Sequence, residues 1–266
     1  MRLRLLIGAV AALALLVAVS AGSAAPGKKA AGAVFTLSNA AGGNAVLVFS
    51  RAHDGSLTPA GSYPTGGLGT GAGLGSQGAI VLDHKTLFAV DAGSNQIAAF
   101  KVEKKDGLRL VSHVASGGAT PISITAHKGL VYVLNAGAPA NITGFTFRHG
   151  ELQQIPGSSR PLSAPSPGPA QVQFSPHGRV LVVTEKDTSL IDTYVVGKDG
   201  LASGPHSQPS AAATPFGFDF DKRGRLIVSD AFGGAPGASD GDRRQESPFI
   251  TIAMRAVWHS CSPGSR

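Results

Sequence analysis

The chain has 266 residues, 16 Asp and Glu against 23 Lys and Arg, and a net charge of +7 at pH 7. Its one Cys cannot form an internal disulfide, and 36 Gly, 17 Pro and no long 3.6-residue periodicity argue against a helical bundle and for an all-β chain of short strands and tight turns. The charge is peripheral: Arg2 and Arg4 stand at the start, and the stretch from Gly241 sets four Arg against Asp242 and Glu246. The body keeps about three positive charges scattered among acids, which excludes a nucleic-acid footprint.

Residues 1–25 combine a basic start, an uncharged apolar run from Leu5 to Val19, and small residues from Ser20 to Ala25. That is the pattern of an export leader cut between Ala21 and Ala25, its core being shorter than the ~20 residues of a spanning helix. It predicts a secreted, extracytoplasmic protein, with no membrane attachment once the leader is removed. Residues 26–32 form a linker.

From Ala33 a pattern repeats. An apolar run ends in a small polar or acidic residue, a short loop follows, and a second run carries an apolar residue three positions before an aromatic one. These pairs are Val46/Phe49, Ile97/Phe100, Ile142/Phe145 and Ile191/Tyr194. Each second run ends at a turn closed by glycine: Asp54-Gly55, Asp106-Gly107, His149-Gly150 and Asp199-Gly200. Such pairs between alternating runs predict type I′ hairpins, which need positive φ at both central residues. One more strand lies between copies, in QGAIVLD, PISITAH, AQVQFSP and PFGFDFD. The column Asn39, Asp91, Asn135, Thr184, Asp230 advances by about 48 residues per step, and four short strands at that period predict a β-propeller blade. The apolar and aromatic columns are then core between blades.

The Gly-rich run from Gly66 to Ser76 lacks the Lys-Ser/Thr ending of a phosphate loop and precedes strands, so it is expected to be a flexible crossing between the first two blades. The His residues stand at turns without metal-ligand spacing. Asp91, Asn135 and Asp230 have two readings: caps of loop turns, or a column facing a central funnel where it could hold a ligand or a divalent cation. No metal and no cofactor is expected.

The fifth copy follows the pattern to Asp230, and residues 240–266 depart from it. They hold Met254, Trp258 and Cys261, and only Phe249 to Ala253 forms an apolar run, the composition of a frame-shifted or fused segment. Residues 33–239 therefore carry about four and a half blades of the seven that would need roughly 330 residues, as in a chain cut short. The first copy also begins at its second strand.

LFAVDAGSNQI, VYVLNAG and SPHGRVLVVTEK, with the Asp-Gly turns, resemble the lactonase (YVTN-type) family of seven-bladed β-propellers. The family includes 6-phosphogluconolactonase-like and carboxymuconate-cyclase-like proteins. In cyclase-type relatives a Pro-Arg-His precedes a Phe-x-Pro-x-Gly turn and an Asn-Glu. Here the matching residues are Pro169-Ala170-Gln171, Phe174, Pro176, Gly178 and Thr184-Glu185. The resemblance implies Glu185 as the catalytic carboxylate, while the family's Arg, which anchors an anionic lactone, is Ala170 here. Gln171 joins Asp91, Asn135 and Asp230 as candidate ligand-binding residues. The expected function is a monomeric extracytoplasmic scaffold for a small molecule, glycan or extracellular protein. The alternatives are a lactone hydrolase or cyclase using Glu185, and a truncated product without function.

Overall fold

The computed structural model describes residues 30–232 and the backbone of 250–254. The leader at 1–25, the linker before Ala30 and the rest of the tail lie outside the described residues. Among the described residues there is no α-helix, only one 3-10 turn at Lys104–Asp106 and nineteen strands.

The strands form five antiparallel sheets in chain order. The first holds β1 (Ala30–Leu37), β2 (Ala45–Ala52) and β3 (Leu57–Pro64). The second holds β4 (Ile80–Asp83), β5 (Thr86–Asp91), β6 (Gln96–Val102) and β7 (Leu108–Ala115). The third holds β8 (Pro121–His127), β9 (Leu130–Asn135), β10 (Asn141–Arg148) and β11 (Glu151–Gln154), with β12 (Arg160–Pro161) paired to the other end of β10. In the fourth are β13 (Pro169–Phe174), β14 (Val180–Glu185), β15 (Leu190–Val196) and β16 (Ala202–Pro209). The fifth pairs β17 (Pro215–Phe220), β18 (Leu226–Asp230) and β19 (Ile250–Met254). Apart from β12, strands adjacent in sequence are adjacent in each sheet, the meander of a propeller blade. The first sheet has three strands, as expected, but β1 starts at Ala30, inside the segment assigned to the linker.

The apolar residues explain why the sheets stack. Along a strand, successive side chains point to opposite faces. In β5, Leu87 and Ala89 pack toward the first sheet with Val46, Val48 and Phe100, while Phe88 and Val90 pack toward the third with Ile124, Val131 and Val133. β9 repeats this: Val131 and Val133 face back, and Tyr132 and Leu134 face forward onto Val172, Leu181 and Val183. Val180 and Val182 then meet Phe218 and Val228 of the fifth sheet. The three-residue spacing of the paired columns has the same origin. Ile142 faces the fourth sheet and Phe145 the second; Ile191 faces the fifth and Tyr194 the third. Each fully buried side chain of this size contributes roughly 1.5–3 kcal/mol.

The strand register moves one column. Val90 pairs with Ile97, Leu134 with Ile142 and Thr184 with Ile191, so the position after each, Asp91, Asn135 and Glu185, is the equivalent one. The repeat in the sequence places Thr184 there, and in the first sheet the counterpart is Ser38 rather than Asn39, since Leu37 pairs with Val46.

The turns also differ in part from expectation. His149 and Gly150 both have positive φ, 53° and 89°, as type I′ requires. At Asp54-Gly55 and Asp199-Gly200 only the glycine does, at 84° and 82°. There the Asp carboxylate accepts the N–H two residues on, from Ser56 and Leu201. That Asx bond holds Asp out of the left-handed region and makes the glycine the bulge residue of a longer loop. At the second hairpin, positive φ falls on Lys105 and Asp106, and Gly107 is extended.

The Gly-rich crossing is bonded along its length. Asn39 donates to Thr70 Oγ1 and Ala72 O and accepts from Thr70 N, and Leu68 N donates to Ser94 Oγ. Further on, Lys186 Nζ donates to Gly75 O at 2.6 Å, Gln77 N to Ala170 O, and Ile124 N to Gly78 O. The segment joins the first two sheets by running against the third and fourth.

Phe145 is 1% exposed and fills the space between the second and third sheets. Phe145→Ala is expected to cost about 3–5 kcal/mol in urea unfolding, whereas a loss below about 1 kcal/mol would contradict packing between sheets as the source of stability.

Candidate functional site

The residues singled out by the sequence lie where one sheet hands over to the next. Each outer strand ends in a hydroxyl residue or leads into one: Thr65 after β3, Ser116 after β7, Ser163 after β12 and Ser210 after β16. Each of these meets the polar residue that ends the second strand of the following sheet. Thr65 Oγ1 donates to Asp91 Oδ1 at 2.6 Å, and Ser210 Oγ to Asp230 Oδ1 at 2.8 Å. Ser163 donates both its N–H, at 3.0 Å, and its hydroxyl to Glu185. At the third sheet an amide replaces the acid and the direction reverses, with Asn135 Nδ2 donating to Ser116 O at 3.3 Å. Asp91, Asn135, Glu185 and Asp230 are all fully buried. Glycines make room for two of them: a Cβ on Gly67 would stand 2.5 Å from Asp91 Cγ, and one on Gly118 2.6 Å from Asn135 Cγ. Both positions lie two residues past the hydroxyl.

Gln171 serves a related purpose at the inner strands. Its side-chain oxygen accepts Phe218 N and its nitrogen donates to Phe218 O, both at 2.9 Å, so its amide stands in for a strand between β13 and β17. Ser123 and Thr125 accept Val172 N and Phe174 N in the same way between β8 and β13. The predicted residues thus do not converge on one site. Each lies at a separate junction between sheets, with Asp91, Asn135 and Asp230 bonded to the preceding sheet's hydroxyl or carbonyl rather than capping their own loop turns through a nearby backbone N–H.

The junction before the fourth sheet has more chemistry than the others. Asp192, also fully buried, lies beside Glu185, and Ser163 N donates to both carboxylates. Thr188 Oγ1 donates to Glu185 Oε2 at 2.6 Å, Ser207 Oγ to Asp192 Oδ1 at 2.5 Å, and Tyr194 Oη to Pro161 O at 2.8 Å. Burial, and then the neighbouring Glu185, push the Asp192 carboxyl up to about 7, because two adjacent carboxylates cannot both ionise cheaply away from water. Near neutrality Asp192 can therefore hold a proton. Desolvation also raises the Asp91 and Asp230 carboxyls. At Asp91 this is opposed by Thr65, Asn44 and His113, whose Nε2 lies 3.3 Å from Oδ2.

As oxygen ligands Glu185 and Asp192 could meet a hard cation, but each of their four oxygens already accepts a hydrogen bond. No cluster of three or more His, Cys, Asp or Glu suited to a metal occurs among the described residues. Sequence reasoning missed Asp192, although an acid one position after a buried isoleucine in mid-strand was the available signal. It also missed Lys186, whose ammonium lies 5.4 Å from the Phe216 ring centre and whose pKa desolvation lowers.

Comparison with solved structures identifies the fold class. A Lactobacillus plantarum protein superposes with a TM-score of 0.59 at 17% identity, over 75% of this chain and 61% of its own. A periplasmic gluconolactonase from Pseudomonas aeruginosa gives 0.55 at 18%, over 71% and 57%. A candidate 6-phosphogluconolactonase from Bacteroides uniformis gives 0.51 at 16%, over 75% of both chains. No protein-family model matches the sequence, and no curated protein does. The chain has a β-propeller fold. The solved structures that share it include proteins described as gluconolactonase and 6-phosphogluconolactonase, and the chain spans less than two thirds of the length of the first two compared here.

Two measurements probe the junction. An unfolded Asp titrates near 3.8 and folded Asp192 near 7, so the folded protein retains a proton that the unfolded chain releases. The stability this confers is full below about 3.8, falls as pH rises toward 7 and is gone above it. Asp192→Asn should flatten the slope of the urea midpoint between pH 4 and 7.5; an unchanged slope would contradict a proton held there. Ser163→Ala, which removes one donor from a buried carboxylate, should cost about 1–3 kcal/mol in the same assay.

Proposed function

We propose that this propeller is a non-catalytic extracytoplasmic scaffold that presents its surface to a ligand. The observation that carries this reading is the state of Glu185: it is fully buried, and both its oxygens are engaged by Ser163 and Thr188. A general base must reach a substrate proton within about 3 Å or through one water, and here protein donors occupy those positions. Ala170 stands where the cyclase-type pattern has its anchoring Arg, which agrees with this reading. The apolar leader supports export.

A second reading, a lactone hydrolase or cyclase, is favoured by the likeness to structures described as gluconolactonases. In that reading Ser163 swings aside and Glu185 assists ring opening.

The test is hydrolysis of δ-gluconolactone followed by pH-stat for the parent and Glu185→Gln, with circular dichroism to confirm folding. The scaffold reading expects both to match spontaneous hydrolysis. Acceleration by the parent that falls about a hundredfold or more in the variant would install the enzyme reading.

A further inference from the structure

An open groove of about 510 Å³ lies between the second and third sheets, lined by Lys85, Lys101, Arg109, Leu110, Phe147 and His149 among others. A second depression of about 630 Å³ shares Lys85 and Lys101 and adds Lys104. Lys85 stands in the β4–β5 turn, Lys101 near the end of β6 and His149 in the β10–β11 turn. β5 begins beside Lys85 and ends at Asp91, so the groove lies at the end of the sheets opposite the buried carboxylates.

Three features give the groove its chemistry. First, its charge is largely uncompensated. Arg109 pairs with Glu103 at 2.8 Å, but among the described residues no acid forms an ion pair with Lys85, Lys101 or Lys104; the acids lining the two depressions are Glu151 and Glu103, the latter already held by Arg109. Second, it is open along one side and continues through two shared lysines. A trough desolvates only part of a ligand, so it favours a chain that repeats the same contact over one small anion. Third, its apolar wall sets Leu110 and Val111 beside one ring, Phe147. Leu110 is 39% exposed, while the Phe147 ring packs edge-on against Phe88 at 5.1 Å. Such a wall accepts the C–H face of a sugar, whereas a single ring engaged edge-on by Phe88 offers no run of aromatic platforms for successive nucleic-acid bases.

We infer that this groove binds an acidic oligosaccharide, with Lys85 and Lys101 meeting successive carboxylate or sulfate groups and Leu110 meeting a sugar face. The inference rests on the scaffold reading and names its ligand class. Exposed ion contacts are individually weak and screened by salt, so binding depends on several of them together and weakens as ionic strength rises.

The test is fluorescence anisotropy with a labelled hexameric oligogalacturonate at low salt. Maltohexaose, inorganic phosphate and a hexameric DNA oligonucleotide serve as competitors. Saturable binding is expected, lost by about 150 mM salt and weakened about tenfold or more in Lys85→Ala/Lys101→Ala, with the thermal midpoint within a degree of the parent's. Lys101→Glu should weaken it at least as much. Equal binding by the double variant, competition by maltohexaose, or competition by phosphate at equal concentration of sites would overturn the inference, as would tighter binding of the oligonucleotide. Lactone hydrolysis measured on the same preparation separates the two claims. Turnover dependent on Glu185 would sink the scaffold reading, whereas saturable maltohexaose binding without turnover would sink only the acidic ligand.

Discussion

A four-stranded sheet whose two faces are both apolar cannot stand in water, and the rest of this molecule follows from that constraint. β5, β9 and β14 alternate their side chains between two neighbours, so each sheet is covered by the one before and the one after. Stacking faces in this way leaves the backbones of neighbouring sheets too far apart for regular strand pairing, and side chains bridge the gap. Ser123, Thr125 and Gln171 do so at the inner strands. The hydroxyls at Thr65, Ser163 and Ser210 do so where the chain passes from one sheet to the next.

Those bridges explain how residues that look functional in the sequence can be structural. A buried carboxylate is costly unless donors surround it, and Asp91, Glu185 and Asp230 are each met by a hydroxyl from the preceding crossing. The hydroxyl arrives only when the previous sheet is in place, so the bond couples the folding of neighbouring sheets. The Glu185–Asp192 pair extends this arrangement at a cost: burial and the neighbouring acid raise the Asp192 carboxyl to about 7, which makes the stability of that junction depend on pH near neutrality.

The two ends of the sheets differ in character. At one, carboxylates are buried beneath the crossings, each met by a hydroxyl, with one oxygen of Asp91 and one of Asp230 left without a hydrogen-bond donor; at the other, lysines and Arg109 stand in open hairpin turns and strand ends around a groove. Burying acids at one end and exposing bases at the other gives a nearly neutral body a local positive surface.

The sequence by itself determined the all-β class, the repeat and its period, and the columns that become core, because alternation and three-residue spacing act along one strand and survive without knowledge of its neighbours. It also marked Asp91, Asn135 and Asp230 as special, since polar residues at the ends of apolar runs need partners, while Glu185 and Gln171 stood out through the family resemblance. Tertiary structure decided who those partners are. It moved the repeating column from Thr184 to Glu185, because register depends on which residue sits across the sheet, and it brought Asp192 beside Glu185. It also tied the glycine-rich crossing to Asn39, Ala170 and Lys186. These contacts join residues tens of positions apart through the packing of separate sheets, which no pattern within one strand encodes.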